Sequence, residues 1–168
     1  VAETAIVVLV PELEPLVASW RRSLTQDGER GMPPHVTLLY PFVDEADVDA
    51  ARPKVARVLA SFAPFEASFA ATARFPDTLY LAPEPPAPFV AMTEALAGAF
   101  PEYPPYGGAF DEVVPHVTVA HGDQERFASI EDELRPVLPV SVRIERAWLM
   151  SDGPDGWRRE APFPLDRR

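Results

Sequence analysis

Two hydrophobic periods take turns along the chain. Thr4–Val10 is an unbroken apolar and β-branched run closed by Pro11, the pattern of a buried strand. Over residues 12–26, Leu13, Leu16, Val17, Trp20 and Leu24 recur three or four apart and predict an amphipathic helix. Gly28 to Pro34 reads as a loop. His35–Phe42 reads as a strand entered through Pro33-Pro34, because proline fits the start of a strand but not its middle. Asp44–Phe62 returns to the helical period, with Val48, Val55, Val58, Leu59 and Phe62 on one face. Phe65–Phe75 alternates and predicts another strand.

The second half runs through the same succession. Thr78–Leu81 predicts a strand, and Phe89–Phe100 a helix built on Phe89, Met92, Leu96 and Phe100. Residues 101–115 form a long loop rich in Pro, Gly and aromatics, and His116–His121 a strand. Glu125–Leu138 predicts a helix shortened near Pro136, and Val140–Met150 a single strand. Two glycines and a proline between Asp152 and Gly156 signal a turn, so Trp157–Pro162 is expected to return as a final antiparallel strand.

Local matches reinforce this order. Val10-Pro11-Glu12 corresponds to Ala82-Pro83-Glu84, and Pro34-His35-Val36-Thr37 to Pro115-His116-Val117-Thr118. Pro64-Phe65-Glu66-Ala67-Ser68 sits where Pro139-Val140-Ser141-Val142 sits. The chain is therefore expected to be one two-lobed domain, with repeat units at about 4–75 and 78–150. Pseudo-twofold packing of such units would bring their equivalent strands together.

Composition narrows the partners. The chain has 168 residues and a formal charge of −11 spread over both halves. An acidic surface repels phosphate backbones, so long nucleic acid is not an expected partner; a small nucleotide or an RNA-terminal phosphate is. There is no cysteine, which excludes disulfides and thiolate catalysis. His35, His116 and His121 are the only nitrogen ligands a metal could use, and no metal or other cofactor is expected from their spacing. No apolar run approaches the ~20 residues of a membrane span. Ala5–Val10 is too short for a signal peptide and lacks a basic leader. A cytoplasmic monomer is expected.

In a strand, residues two apart share a face, so His35 lies beside Thr37 and His116 beside Thr118. Two such units facing each other would set two imidazoles and two hydroxyls around one site. That set suits phosphoryl chemistry. Histidine titrates near ~6.5 and holds either proton state at neutral pH, so one ring can act as base and the other as acid. Threonine hydroxyls can donate to the non-bridging phosphate oxygens. One His-x-Thr on a strand is common and uninformative; two, each after Pro and at matching places in a repeat, have no evident packing reason.

The segments Pro-His-Val-Thr-Leu-Leu-Tyr-Pro-Phe (34–42) and Pro-His-Val-Thr-Val-Ala-His (115–121) resemble the paired motifs of the two-histidine phosphoesterases. Within them, the chain looks like the bacterial 2′-5′ RNA ligase-like and cyclic phosphodiesterase branch. The resemblance implies an α+β fold of two pseudo-symmetric lobes, with antiparallel sheets flanking a central cleft and helices outside. It implies His35, Thr37, His116 and Thr118 as a catalytic tetrad. It also implies a 2′,3′-cyclic phosphate opened to a 2′-phosphate, or a reversible 2′-5′ RNA ligation. By resemblance, His116 would activate water and His35 would protonate the leaving oxygen; the near-symmetry of the units leaves this open. Many relatives carry Arg five positions after the second His, where this chain has His121 and the first unit has Tyr40. Strict alternation points His121 away from the catalytic face.

Candidate substrate contacts are Tyr40, Phe42, Tyr106, Phe110 and His121, with Tyr103 also in the loop before the second motif. Core packing competes for Tyr40 and Phe42, and loop anchoring competes for the loop aromatics, although Gly107-Gly108 would allow a flap. Trp20, Trp148 and Trp157 read as packing residues. Two other functions fit the composition: a module that binds nucleotide or RNA ends without turnover, and a metal-dependent hydrolase using the histidines with Asp111 or Asp123.

Overall fold

The computed structural model describes residues 3–109 and 112–168. Its strands are β1 (Glu3–Leu9), β2 (His35–Leu39), β3 (Phe65–Phe75), β4 (Thr78–Glu84), β5 (Val117–His121), β6 (Val140–Ile144), β7 (Arg146–Gly153) and β8 (Gly156–Pro164). Its helices are α1 (Glu14–Leu24), the four-residue α2 (Gln26–Glu29), α3 (Val48–Ala60), α4 (Ala87–Ala99) and α5 (Gln124–Leu134). The strands form two four-stranded antiparallel sheets, ordered β2-β1-β7-β8 and β5-β4-β3-β6. This is the expected α+β architecture with two sheets.

Each histidine strand is an edge strand, β2 of the first sheet and β5 of the second, and these two edges lie against each other. The halves of the chain are interlocked. β3 comes from the first half but pairs with β4, and β7 comes from the second half but pairs with β1. The helices cross over too: α1 follows β1 but packs on β5, and α4 follows β4 but packs on β2. The apolar stripes read from the sequence become one core, in which Leu13, Val17, Val36, Phe89, Leu96, Val117 and Val119 are at most 1% exposed. Burying each such side chain is worth roughly 1.5–3 kcal/mol.

Three expectations are corrected. The single strand Val140–Met150 is two strands in different sheets, parted at Glu145. The positions that join the main core are Val142 and Ile144 before the break and Ala147 and Leu149 after it, so the parity of the core-facing positions changes there. The strand expected over His35–Phe42 stops at Leu39, and Phe42 turns into the core. The loop expected from Gly28 begins inside α2, whose start is capped by the Thr25 hydroxyl accepting from Gly28 N.

Gly28 is needed where α2 turns back onto the end of α1. A Cβ there would stand 2.2 Å from the Arg21 carbonyl oxygen, a backbone atom that cannot swing aside. Gly28→Ala is expected to destabilise the protein by about 1–3 kcal/mol, as overpacking does. A thermal or urea melt of the variant checks this. Among the described residues, no helix is long and apolar enough to cross a membrane.

Candidate active site

A cavity of about 300 Å³ opens where β2 and β5 meet, and His35, Thr37, His116 and Thr118 all line it. His35 is the first residue of β2, and His116 sits one residue before β5. Each ring is fixed in the same way. His35 Nδ1 is 2.8 Å from the Pro33 carbonyl, and His116 Nδ1 is 2.7 Å from the Val114 carbonyl, two residues back in both cases. A carbonyl can only accept, so each Nδ1 carries a proton and each Nε2 is left as the working atom.

The motif strands also share a backbone irregularity. In β2, Thr37 pairs with Val7 and Leu39 with Ile6, so Leu38 is an extra residue. In β5, Thr118 pairs with Tyr80 and Ala120 with Leu79, so Val119 is an extra residue. Each is a β-bulge placed immediately after the motif threonine. A bulge resets the alternation of the residues that follow it. Tyr40 and His121 are thereby turned onto the same face as Thr37 and Thr118, and both line the cavity. The expectation that His121 points away is corrected: strict alternation does not survive the bulge. His121 is held by Nδ1 at 3.0 Å from Thr78 Oγ1, and that hydroxyl donates to Asp77 Oδ1 at 3.1 Å.

Burial governs the site's electrostatics. His35 is 7% exposed, and its ring is pushed down to about 3, first by burial and then by the charge of Arg21; the Pro33 carbonyl pulls the other way. His116 is half-buried and is also lowered, again chiefly by burial, with the Val114 carbonyl opposing and His121 adding to the shift. Asp27, on α2, lines the cavity with its carboxyl pushed up by burial, while Arg21 draws it back down. The Tyr40 hydroxyl donates to Glu3 Oε2 at 2.6 Å, and burial followed by that carboxylate raises its pKa.

The long loop is anchored over the cavity by Tyr106. Its N–H donates to the Tyr40 carbonyl at 2.6 Å, and its side chain pairs with Thr37. Tyr106 has φ 52° and ψ 34°, a left-handed conformation that costs a non-glycine residue free energy, and Gly107 continues it at φ 65°. Tyr103 anchors the loop from the other side, packing edge-on against Phe42 at 5.5 Å. Phe42 is also edge-on to Phe100 at 4.9 Å and is 5% exposed, so it is a core residue that does not reach the cavity. Phe110 lies outside the described residues.

A second cavity, about 610 Å³, adjoins the first and shares Tyr106, His116 and His121 with it. Its remaining walls are Phe75, Pro76 and Val114, with Asp77, Thr78 and Glu112 as the polar positions. Phe75 and Tyr80 stack at 4.5 Å, and both contact the His116 ring edge-on, at 5.2 and 5.4 Å. Among the described residues, no group of three or more His, Asp or Glu could hold a metal ion. Asp123 is engaged as the N-cap of α5, and Asp111 lies outside the described residues.

Sequence reasoning missed Arg21, Asp27 and Thr78. Arg21 had a signal: it falls four residues after Val17, on the apolar stripe of α1, where a charge needs a reason. Thr78 and Asp27 had none short of the tertiary structure.

The model of the 2′-5′ RNA ligase superfamily matches residues 9–156. Among solved structures, TT0787 of Thermus thermophilus is similar over 99% of this chain and 99% of its own, with 19% identity and a TM-score of 0.69. Escherichia coli LigT complexed with 3′-AMP is similar over 98% of both chains, with 15% identity and a TM-score of 0.64. Kluyveromyces marxianus Usb1 with uridine monophosphate is similar over 98% of this chain and 97% of its own, with 12% identity and a TM-score of 0.51. A search of curated proteins found no match.

Proposed function

The chain belongs to the 2′-5′ RNA ligase superfamily, and on that premise we propose that it is a metal-independent phosphodiesterase opening the 2′,3′-cyclic phosphates of nucleotides or short RNA ends to 2′-phosphates. The observation that carries this reading is the meeting of His35, Thr37, His116 and Thr118 around one cavity. The phosphate sits between the two imidazoles. Thr37 and Thr118 donate to its non-bridging oxygens, whose charge must be held in the transition state. A neutral imidazole accepts a proton from water at Nε2 as the oxygen bonds to phosphorus. An imidazolium gives its Nε2 proton to the 3′ oxygen as that P–O bond breaks. Protons and electrons balance, and the product is a 2′-phosphomonoester with a free 3′-hydroxyl.

The nucleoside lies in the adjoining cavity of about 610 Å³, against Phe75, Pro76 and Tyr106. Tyr40 and His121, turned inward by the two bulges, contact the substrate at its rim. The nucleotides held by LigT and Usb1 in their solved structures favour a small nucleotide or an RNA end. The same groups would run 2′-5′ ligation if a second strand's 5′-hydroxyl took the place of the attacking water. The formal charge of −11 disfavours docking two long strands.

Incubation with 2′,3′-cyclic AMP in EDTA, with the product chromatographed against 2′-AMP and 3′-AMP, tests the reading. 2′-AMP is the expected product. Tight binding with no product would replace the reading with a nucleotide-binding module. Activity lost in EDTA and restored by zinc would replace it with a metal-dependent hydrolase.

A further inference from the structure

The catalytic cavity has a second outlet, at Met32. That residue also lines a cavity of about 310 Å³, which in turn shares Pro11 and Arg159 with one of about 410 Å³. The 610 Å³ cavity joins the catalytic one elsewhere, through Tyr106, His116 and His121. The groove that leaves past Met32 reverses the charge of the chain. Arg21, Arg22, Arg143, Arg146 and Arg159 line it against Glu12, Glu14 and Glu145, in a protein with 15 basic and 26 acidic side chains. Arg21 is buried and the other four are exposed. Among the described residues, Arg22 and Arg159 take part in no ion pair. Arg143 and Arg146 share Glu145, at 3.5 and 3.9 Å. Four cations with one carboxylate between them leave the groove with a positive field.

An indole stands among these cations. Trp148 lines the groove and is half-buried, with the Arg159 guanidinium carbon 5.0 Å from its ring centroid. It lies on the face of the sheet that carries the catalytic threonine. Thr37 pairs with Val7 and Val7 with Trp148, and paired residues stand on one face. Val7 itself lines the catalytic cavity. Two strand spacings put Trp148 roughly 10 Å from Thr37. Packing explains a half-buried indole, but it does not explain arginines gathered around one.

We propose that this groove seats the nucleotides that precede the cyclic phosphate in an RNA chain, so that a short single-stranded RNA end is a better substrate than a mononucleotide; this rests on the phosphodiesterase reading. With the cyclic phosphate on C2′ and C3′ held between the histidines, C1′ and C4′ lie at the two ends of the ribose. The base leaves C1′ toward the 610 Å³ cavity, and the 5′ chain leaves C4′ toward Met32. The phosphates upstream meet Arg22 and Arg159, then Arg146 and Arg143. A base upstream stacks on Trp148 or on the Arg159 guanidinium plane, surfaces that accept any base. Beyond the groove the acidic surface repels the backbone, which limits the tail to a few nucleotides.

Steady-state kinetics on 2′,3′-cyclic AMP and on an adenosine tetramer ending in the same cyclic phosphate tests this, in the parent and in a variant carrying Arg143→Gln, Arg146→Gln and Arg159→Gln. The parent is expected to show a kcat/KM about tenfold or more higher on the tetramer, carried by KM. That advantage should fall with salt, with a log–log slope of about −0.7 for each phosphate neutralised. The triple variant is expected to bring the tetramer down toward the mononucleotide. Arg57→Gln, exposed on α3 and outside the groove, is expected to keep the advantage. Equal kcat/KM on the two substrates in the parent, or an advantage that survives the triple variant, overturns the proposal. Fluorescence anisotropy with a 5′-labelled tetramer ending in a 3′-phosphate gives a readout without turnover, and the triple variant should weaken that binding. Displacement of the tetramer equally well by an oligoaspartate of the same charge would make the groove a site for acidic peptide and overturn the proposal. A parent that turns over neither substrate, yet binds the tetramer through these arginines, would defeat the phosphodiesterase reading and leave the groove as an RNA site.

Discussion

Alanine at His35 or at His116 is expected to lower kcat/KM for a 2′,3′-cyclic nucleotide by about 10²–10⁴-fold, with little change in how the folded protein binds the product nucleotide. Each ring has one nitrogen tied to its own backbone and one left toward the cavity, so neither can substitute for the other. Removing the acid leaves an alkoxide to depart unprotonated; removing the base leaves water to attack with its proton still attached. The two groups act in one step, so the double variant should lose far less than the product of the single losses. Steady-state kinetics of the three variants measures this, with a thermal melt showing that each is folded. Single variants within tenfold of the parent would contradict the assignment.

A pronounced acid sensitivity of the fold is the second large expectation. His35 titrates at about 3 in the folded protein, against 6.5 in the unfolded chain. Between those values the unfolded chain binds a proton that the folded state refuses. Stability therefore falls as the pH drops through that window, by on the order of 5 kcal/mol if the window is fully traversed. The lowered His116 adds a loss of the same sign. Glu131, held down first by its hydrogen bond to Arg74, and Glu160, held down first by its hydrogen bond to Ser151, lose stabilisation at lower pH, below about 4.5. In the interval from about 6.5 to about 5 the loss thus comes from the histidines, and the raised carboxyl of Asp27, which is protonated more readily in the folded state than in the unfolded chain, works against it. Urea unfolding at several pH values across that interval, in the parent and in His35→Gln, separates the contributions. The parent should lose roughly 2 kcal/mol over that interval, and His35→Gln clearly less. Equal slopes would show that His35 is not held neutral by the fold.

Much of the architecture could be read from apolar spacing. The stripe of Leu13, Val17 and Leu24, the strand cores at Val36 and Val117, and the turn before Trp157 all fall where the two periods place them. The pairing of His35-Thr37 with His116-Thr118 was legible because the motif occurs twice in a repeated order. What escaped depends on tertiary contacts. A bulge leaves no mark in Val-Thr-Leu-Leu-Tyr, yet it decides that Tyr40 and His121 face the cavity and not the core. Phe42 follows the strand pattern on paper, but the chain leaves β2 at Leu39 and buries the ring against Phe100. The break at Glu145 was visible as a change in inward parity, but a run without Gly or Pro gives no reason to look for one. Arg21 lay in plain view on an apolar stripe, and only the fold shows that its partners are the backbones of both motifs.

The most direct test of two-histidine phosphodiester chemistry is a single turnover of 2′,3′-cyclic AMP in H₂¹⁸O with EDTA present, followed by ³¹P NMR and mass spectrometry. The predicted result is 2′-AMP carrying one ¹⁸O on phosphorus from the parent protein, and unreacted substrate from His35→Ala and His116→Ala over the same time. Unreacted substrate from the parent, or labelled product formed equally fast by either variant, would contradict it.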